Sequence, residues 1–187
     1  MTLTLRVAIA THLVLGLALC FVPLFSGLGF ERALATGLLA AITSPLVTIS
    51  LCHFARQIGP QGLPRVAQRA LIINALTLVP STAAGAVMEL VRQSCEPNSG
   101  LLFIALIAGG NVVFGTALGG AAALLRRRWM ANASVLIVLV LALVGVVARF
   151  YTDPQIFIYS APWGYWPGSI YDEALAVDVR LWSFRGY

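Results

Sequence analysis

Lysine is absent from the 187-residue sequence, and Asp and Glu together number only seven. The missing lysine excludes a P-loop lysine, a Ser–Lys dyad and any lysine Schiff base, whether to pyridoxal phosphate or to retinal. The few acids form no clustered set within the apolar segments. Asp172 and Glu173 are adjacent, so in a regular strand or helix their side chains diverge rather than share a site. There is no HExxH zinc motif. Cys20, Cys52 and Cys95 are far apart, and none belongs to a CxxC pair. An odd number gives no disulfide framework, and three free or buried thiols are expected. The sequence therefore names no catalytic residue, no metal ligand and no cofactor.

Charge is scarce as well. Charged residues make up 10% of the chain and hydrophobic residues 59%, with a mean hydropathy of +0.90. A soluble domain carries about 25% charged residues, so this composition belongs to the membrane class. The net charge of +5 and pI near 9.6 do not indicate nucleic acid. Every basic residue is Arg, and these sit at the ends of apolar runs, where membrane topology puts them. Arginine without lysine, together with Ala- and Leu-rich helices, suggests a GC-rich bacterial genome and a bacterial cytoplasmic membrane.

Residues 7–30, 33–52, 70–88, 97–125 and 129–148 contain no Asp, Glu, Lys or Arg. A spanning helix needs about 20 mostly apolar residues, and a bilayer leaves backbone groups no partner but one another. The expectation is an all-α bundle of five transmembrane helices over 1–151, at about 7–25, 31–52, 70–91, 101–125 and 131–150. An aromatic tail over 152–187 follows. The first run is read as a retained helix: the residue before Cys20 is Leu, where a lipoprotein box needs a small residue, and the apolar run continues past Pro23. Ser26-Gly27-Leu28-Gly29 reads as a tight turn, and 53–69, with Pro60, Gly62 and Pro64, as a polar loop. Arg6, Arg56, Arg65, Arg69 and Arg126–Arg128 occupy the N-terminus and the second and fourth connections, without any acid. The positive-inside bias then puts the N-terminus in the cytoplasm and the C-terminus outside.

Within the fourth run, Asn111, Gly115 and Gly119 fall four residues apart on one helical face. Small residues let backbones approach, and an Asn amide can bond across the seam. The second run offers a matching stripe of Ala33, Gly37 and Ala41, beside Thr36, Ala40 and Ser44. Gly115, Gly119, Asn111, Gly37 and Ala41 are thus the expected helix-packing set. Pro23, Pro45 and Pro80 interrupt apolar runs, and each frees a backbone carbonyl. Polar groups at membrane depth are candidates for a cavity: His12, Asn74, Asn111 and Glu89, the last within reach of Arg92 at i+3.

The tail concentrates the aromatics. Residues 150–187 hold 11 of the 18 aromatic residues, so any contact surface is expected there. Gln155–Tyr159 has strand character, 161–168 reads as an aromatic loop, and Ala174–Trp182 alternates in part like a strand. Trp163, Tyr165, Trp166 and Tyr171 are the expected partner-contact residues, because such side chains bury large area at low entropic cost. The string from Gly164 to Glu173 resembles a segment of large uncharacterised bacterial envelope proteins. In those, a helical membrane region leads into an extracytoplasmic domain that sometimes resembles a metallopeptidase. The resemblance implies a membrane anchor whose effector domain lies downstream. It carries no activity, because the zinc motif is missing. The expected function is therefore a non-enzymatic anchor or accessory subunit, with the bilayer and another envelope protein or that downstream domain as partners. The alternative is a small solute transporter or substrate-binding subunit with a cavity at His12, Asn74 and Asn111.

Overall fold

The computed structural model describes residues 3–58, 63–92, 97–152 and 157–167. Among the described residues, five helical spans are long and apolar enough to cross a membrane: Leu3–Cys20, Phe30–Arg56, Arg65–Val91, Ser99–Ala122 and Arg128–Arg149. The protein is thus a multi-pass membrane protein in architecture. Helix α1 (Leu3–Cys20) is the first span and α2 (Phe30–Ile58) the second. The third is split into α3 (Leu63–Thr77) and α4 (Val79–Arg92). The fourth combines α5 (Pro97–Phe103), a π-helical segment (Ile104–Gly109) and α6 (Gly110–Ala122). Helix α7 (Arg128–Thr152) is the fifth.

Several of these bounds correct the sequence reading. The first helix does not run to 25. It ends at Cys20, and Pro23–Phe25 forms a 3-10 turn instead, because proline sits readily in a first turn but breaks an interior one. The polar loop expected over 53–69 is mostly helix, since α2 continues to Ile58 and α3 begins at Leu63. Pro64 stands second in α3, where its missing N–H has no helical partner to lose. The third span is broken at Leu78, whose amide reaches back to the Ala75 carbonyl in a tight turn. Pro80, second in α4, fits the start of a new helix. Pro45, by contrast, lies inside an unbroken α2.

Helix α2 is the centre of the bundle. Over half of its window is buried (56%), against 17% for α7, so the rest of the protein leaves most of α7 uncovered. At one end of the core, Phe30 meets Phe103 edge to face, with ring centroids 5.7 Å apart, alongside Ile104, Ile107 and Val112. From mid-span toward the other, arginine-rich end, Ile49, Cys52 and Val66 pack with Ala122, Val135 and Leu139.

After α7 the chain forms a short antiparallel hairpin, β1 (Phe157–Ser160) and β2 (Gly164–Pro167), with Ser160 opposite Gly164. The hairpin folds back along α7, and β2 touches α2. The strand expected over Ala174–Trp182 and the residue Tyr171 lie outside the described residues.

Candidate functional site

A polar spine runs down α2. Arg32, Thr36, Ser44, Thr48 and Cys52 recur on one face at four-residue spacing, with Ala40 between, and all are buried. Arg32, Thr36 and Thr48 bond through their side chains to neighbouring helices, and Ser44 does so through its carbonyl. Thr36 Oγ1 and Ser81 Oγ of α4 are 2.8 Å apart. Asn74 of α3 donates through Nδ2 to the Ser44 carbonyl (3.2 Å), Thr48 Oγ1 (3.0 Å) and Thr116 Oγ1 of α6 (2.9 Å). Thr48 and Thr116 pass their own protons to the carbonyls four residues back, so both act as acceptors toward Asn74. One amide therefore ties three helices together.

The small-residue seam joins α2 and α6 beside this spine. A Cβ on Gly115 would lie 2.8 Å from Ser44 Cβ and 2.9 Å from Pro45 Cδ. One on Gly119 would lie 2.5 Å from the Pro45 carbonyl oxygen. Gly37 is likewise hemmed in by Ile107, Ala108 and the Asn111 amide, and Ala41 is fully buried. Asn111 donates to the Gly37 carbonyl at 2.9 Å and to the Pro162 carbonyl of the hairpin tip at 3.1 Å.

His12 lies apart from both. Its Nε2 meets Thr43 Oγ1 at 3.2 Å. Thr43 Oγ1 also lies 2.9 Å from the Leu39 carbonyl, and His12 Nδ1 is buried with no hydrogen-bond partner. Asn74 Oδ1 and Ser44 Oγ are also buried without a partner. His12, Asn74 and Asn111, weighed together as cavity residues, thus bond to separate places. Glu89 is elsewhere again: its Oε2 accepts the Leu28 amide at 3.0 Å, ahead of α2. The Arg92 side chain lies outside the described residues.

Arg32 was read from the sequence as an end-of-helix charge. It is instead fully buried. Nε donates to the carbonyls of Phe25 (2.9 Å) and Gly27 (3.1 Å). Nη1 donates to those of Gly16 (3.3 Å) in α1 and Ser81 (2.9 Å) in α4, and Nη2 to that of Ser26 (3.1 Å) and to Cys20 Sγ (3.5 Å). Gly85 makes room for it: a Cβ there would be 2.8 Å from Arg32 Cδ. The planar fork, with five N–H groups, suits a ring of carbonyls as an ammonium could not. The one sequence signal was that Arg32 starts the i, i+4 polar stripe. Cys20 and Cys52 are free thiols, and Cys95 lies outside the described residues.

Trp163 corrects a further expectation. It was placed on an outer contact surface, but it is half-buried, and its indole N–H donates to the Leu139 carbonyl of α7 at 3.2 Å. The tip turns inward because Asn111, Leu139 and the apolar cluster around Val135 offer it partners. The side chains of Tyr165 and Trp166, like Tyr171, lie outside the described residues.

At the arginine-rich end, Leu3, Thr4, Ser50, His53, Phe54, Arg126 and Arg128 line a cavity of about 560 Å³. Among the described residues no group of three His, Cys, Asp or Glu comes together to hold a metal. A comparison with protein-family models, curated proteins and solved structures returned no match.

Proposed function

We propose that the chain is a non-enzymatic membrane anchor or accessory subunit of a bacterial envelope assembly. In this reading it sits in the cytoplasmic membrane with its N-terminus inside and its C-terminal tail outside. The observation that carries it is how the interior polar groups are used. Asn74 cross-links α2, α3 and α6, Asn111 holds α2 and the hairpin tip, and Arg32 gathers α1, α4 and the first connection. Polar side chains committed to helix–helix bonds act as internal glue. The buried polar atoms left over, His12 Nδ1, Asn74 Oδ1 and Ser44 Oγ, belong to side chains or residues already engaged between helices.

Interaction then falls to the outer tail beyond the hairpin, residues 168–187 with Tyr171 among them, with another envelope protein or a downstream domain as partner. The likeness of Gly164–Glu173 to envelope anchors points the same way. Because Pro162 and Trp163 are bound into the bundle, the cleanest test deletes 168–187 and leaves the tip in place. The truncated chain should insert normally and lose the proteins that co-purify with the full chain in mild detergent. Unchanged co-purification after this deletion sinks the proposal.

A second reading, a small solute carrier, has one observation in its favour. Pro45, the break at Leu78 and the π-helical segment all fall near the middle of their spans. Transporters place broken helices there. Solute-dependent stabilisation that disappears in Asn74→Leu would favour this reading over the anchor.

A further inference from the structure

The basic cavity at the arginine-rich end serves neither the polar spine nor the tail. It lies between the first turn of α1, the last turns of α2 and the start of α7. Its depth is that of the helix ends, where headgroups lie. We propose that this cavity is a binding site for a phosphate group, carried either by a membrane lipid or by a soluble phosphate. The inference is independent of the anchor reading.

Four features converge on it. Arg126 and Arg128 both line the cavity, together with His53 and the hydroxyls of Thr4 and Ser50, and among the described residues no carboxylate does. Guanidinium forks match phosphate oxygens with paired, charge-assisted hydrogen bonds. Arg128 is already oriented: its Nη2 donates to Thr4 Oγ1 at 3.0 Å and to Ser50 Oγ at 3.3 Å, leaving its other N–H groups for a ligand. His53 Nε2 is buried with no hydrogen-bond partner, an unmet polar atom that a phosphate oxygen could satisfy.

The backbone adds to this. Arg128 is the first residue of α7, and the Ala131 amide is the one that reaches the Arg127 carbonyl. The amides just before Ala131 open toward the same end, and free amides at a helix start favour an anion. Two guanidinium groups at one cavity repel when it is empty, so an anion there should stabilise the folded protein by mass action. Leu3 and Phe54 complete the lining with exposed apolar surface, which would suit the acyl or glycerol part of a lipid.

The test follows thermal unfolding of the full chain in mild detergent. One arm titrates inorganic phosphate against chloride at matched ionic strength. The other adds phosphatidylglycerol or phosphatidylcholine to the micelles. Arg126 is exposed and makes no hydrogen bond or ion pair among the described residues, so Arg126→Gln should fold; Arg65→Gln, an exposed arginine outside the cavity, is the control. A rise in melting temperature with phosphatidylglycerol alone assigns the headgroup; a rise with inorganic phosphate as well assigns the free anion. In either case Arg126→Gln should weaken the response by about tenfold, the effect of losing one charge-assisted contact, while Arg65→Gln leaves it intact. No stabilisation by either ligand, or equal weakening by the two variants, overturns the site.

Discussion

The indole N–H of Trp163 donates to the carbonyl of Leu139, 3.2 Å away, halfway along the fifth span. Leu139 is eleven residues from Arg128 and ten from Arg149, the ends of that span. The adjacent Pro162 carbonyl accepts from Asn111, which is twelve residues from Ser99 and eleven from Ala122. Both bonds thus lie about 15–18 Å from the helix ends. The hairpin after α7 re-enters the bundle to mid-span. Non-helical backbone is tolerated at such depth only where protein surrounds it. Here Asn111 satisfies the tip carbonyl, Ser160 and Pro162 are buried, and Trp163 packs against the cluster around Val135.

The tip should therefore contribute to the stability of the helical domain. Trp163→Phe keeps most of the buried ring and loses the hydrogen bond, so it should destabilise by about 1 kcal/mol. Trp163→Ala also vacates space beside Leu139 and should destabilise by roughly 2–4 kcal/mol. Thermal unfolding in detergent measures both. If the alanine variant melts with wild type, the tip does not hold the bundle.

Neighbouring glycines of α6 provide a matched pair. A methyl group at Gly119 would run into the Pro45 backbone, whereas one at Gly120 meets nothing within 4 Å. Gly119→Ala should destabilise by about 1–3 kcal/mol, the usual overpacking range. Gly120→Ala should be neutral or slightly stabilising, since Ala is the better helix former. Equal effects at the two positions would place the α2–α6 seam on the wrong face.

Arg32 should tolerate no substitute. Lysine keeps the charge but offers three donors from one nitrogen, and cannot span carbonyls contributed by α1, the first connection and α4. Arg32→Lys and Arg32→Ala should both lower stability, the alanine variant by about 2 kcal/mol or more because it leaves buried carbonyls without a donor, with reduced yield of folded protein. A lysine variant as stable as wild type would show that charge alone suffices.

Helix number and the α2–α6 face were legible because they rest on periodic, local signals. Charge-free runs mark spans, and Asn111, Gly115 and Gly119 at four-residue spacing mark a face. The helix ends were not. Pro23 and Pro64 look alike in sequence, yet one lies in a turn that ends a span and the other opens a helix. Arg32 was misread because a charge beside an acid at the end of an apolar run has the signature of an interfacial residue. Its burial depends on carbonyls contributed from Gly16, Phe25 and Ser81, and no local pattern carries those. Trp163 was misread for the same reason: its partner is 24 residues back, on a helix face that sequence presents as lipid-facing.

Orientation in the membrane is the last prediction. Arg6, Arg56, Arg65, Arg69 and Arg126–Arg128 lie at or near one set of helix ends, whereas Glu31 and Glu89 lie at the other. Positive charge in short connections is retained in the cytoplasm, so the end bearing the basic cavity should face inward. Arg32 does not disturb the count, because its guanidinium is enclosed by protein rather than presented to a membrane surface. Five spans then carry the chain's last helix end outside. The hairpin dips to mid-span and returns, since β1 and β2 are antiparallel neighbours, so it adds no crossing. An alkaline phosphatase fused after Tyr187 should be active, and the same enzyme fused after Arg127 inactive. A fluorescent cytoplasmic reporter should show the reverse pattern. Phosphatase activity at Arg127 with none at Tyr187 would invert the protein, place the phosphate site outside, and remove the tail from any extracytoplasmic partner.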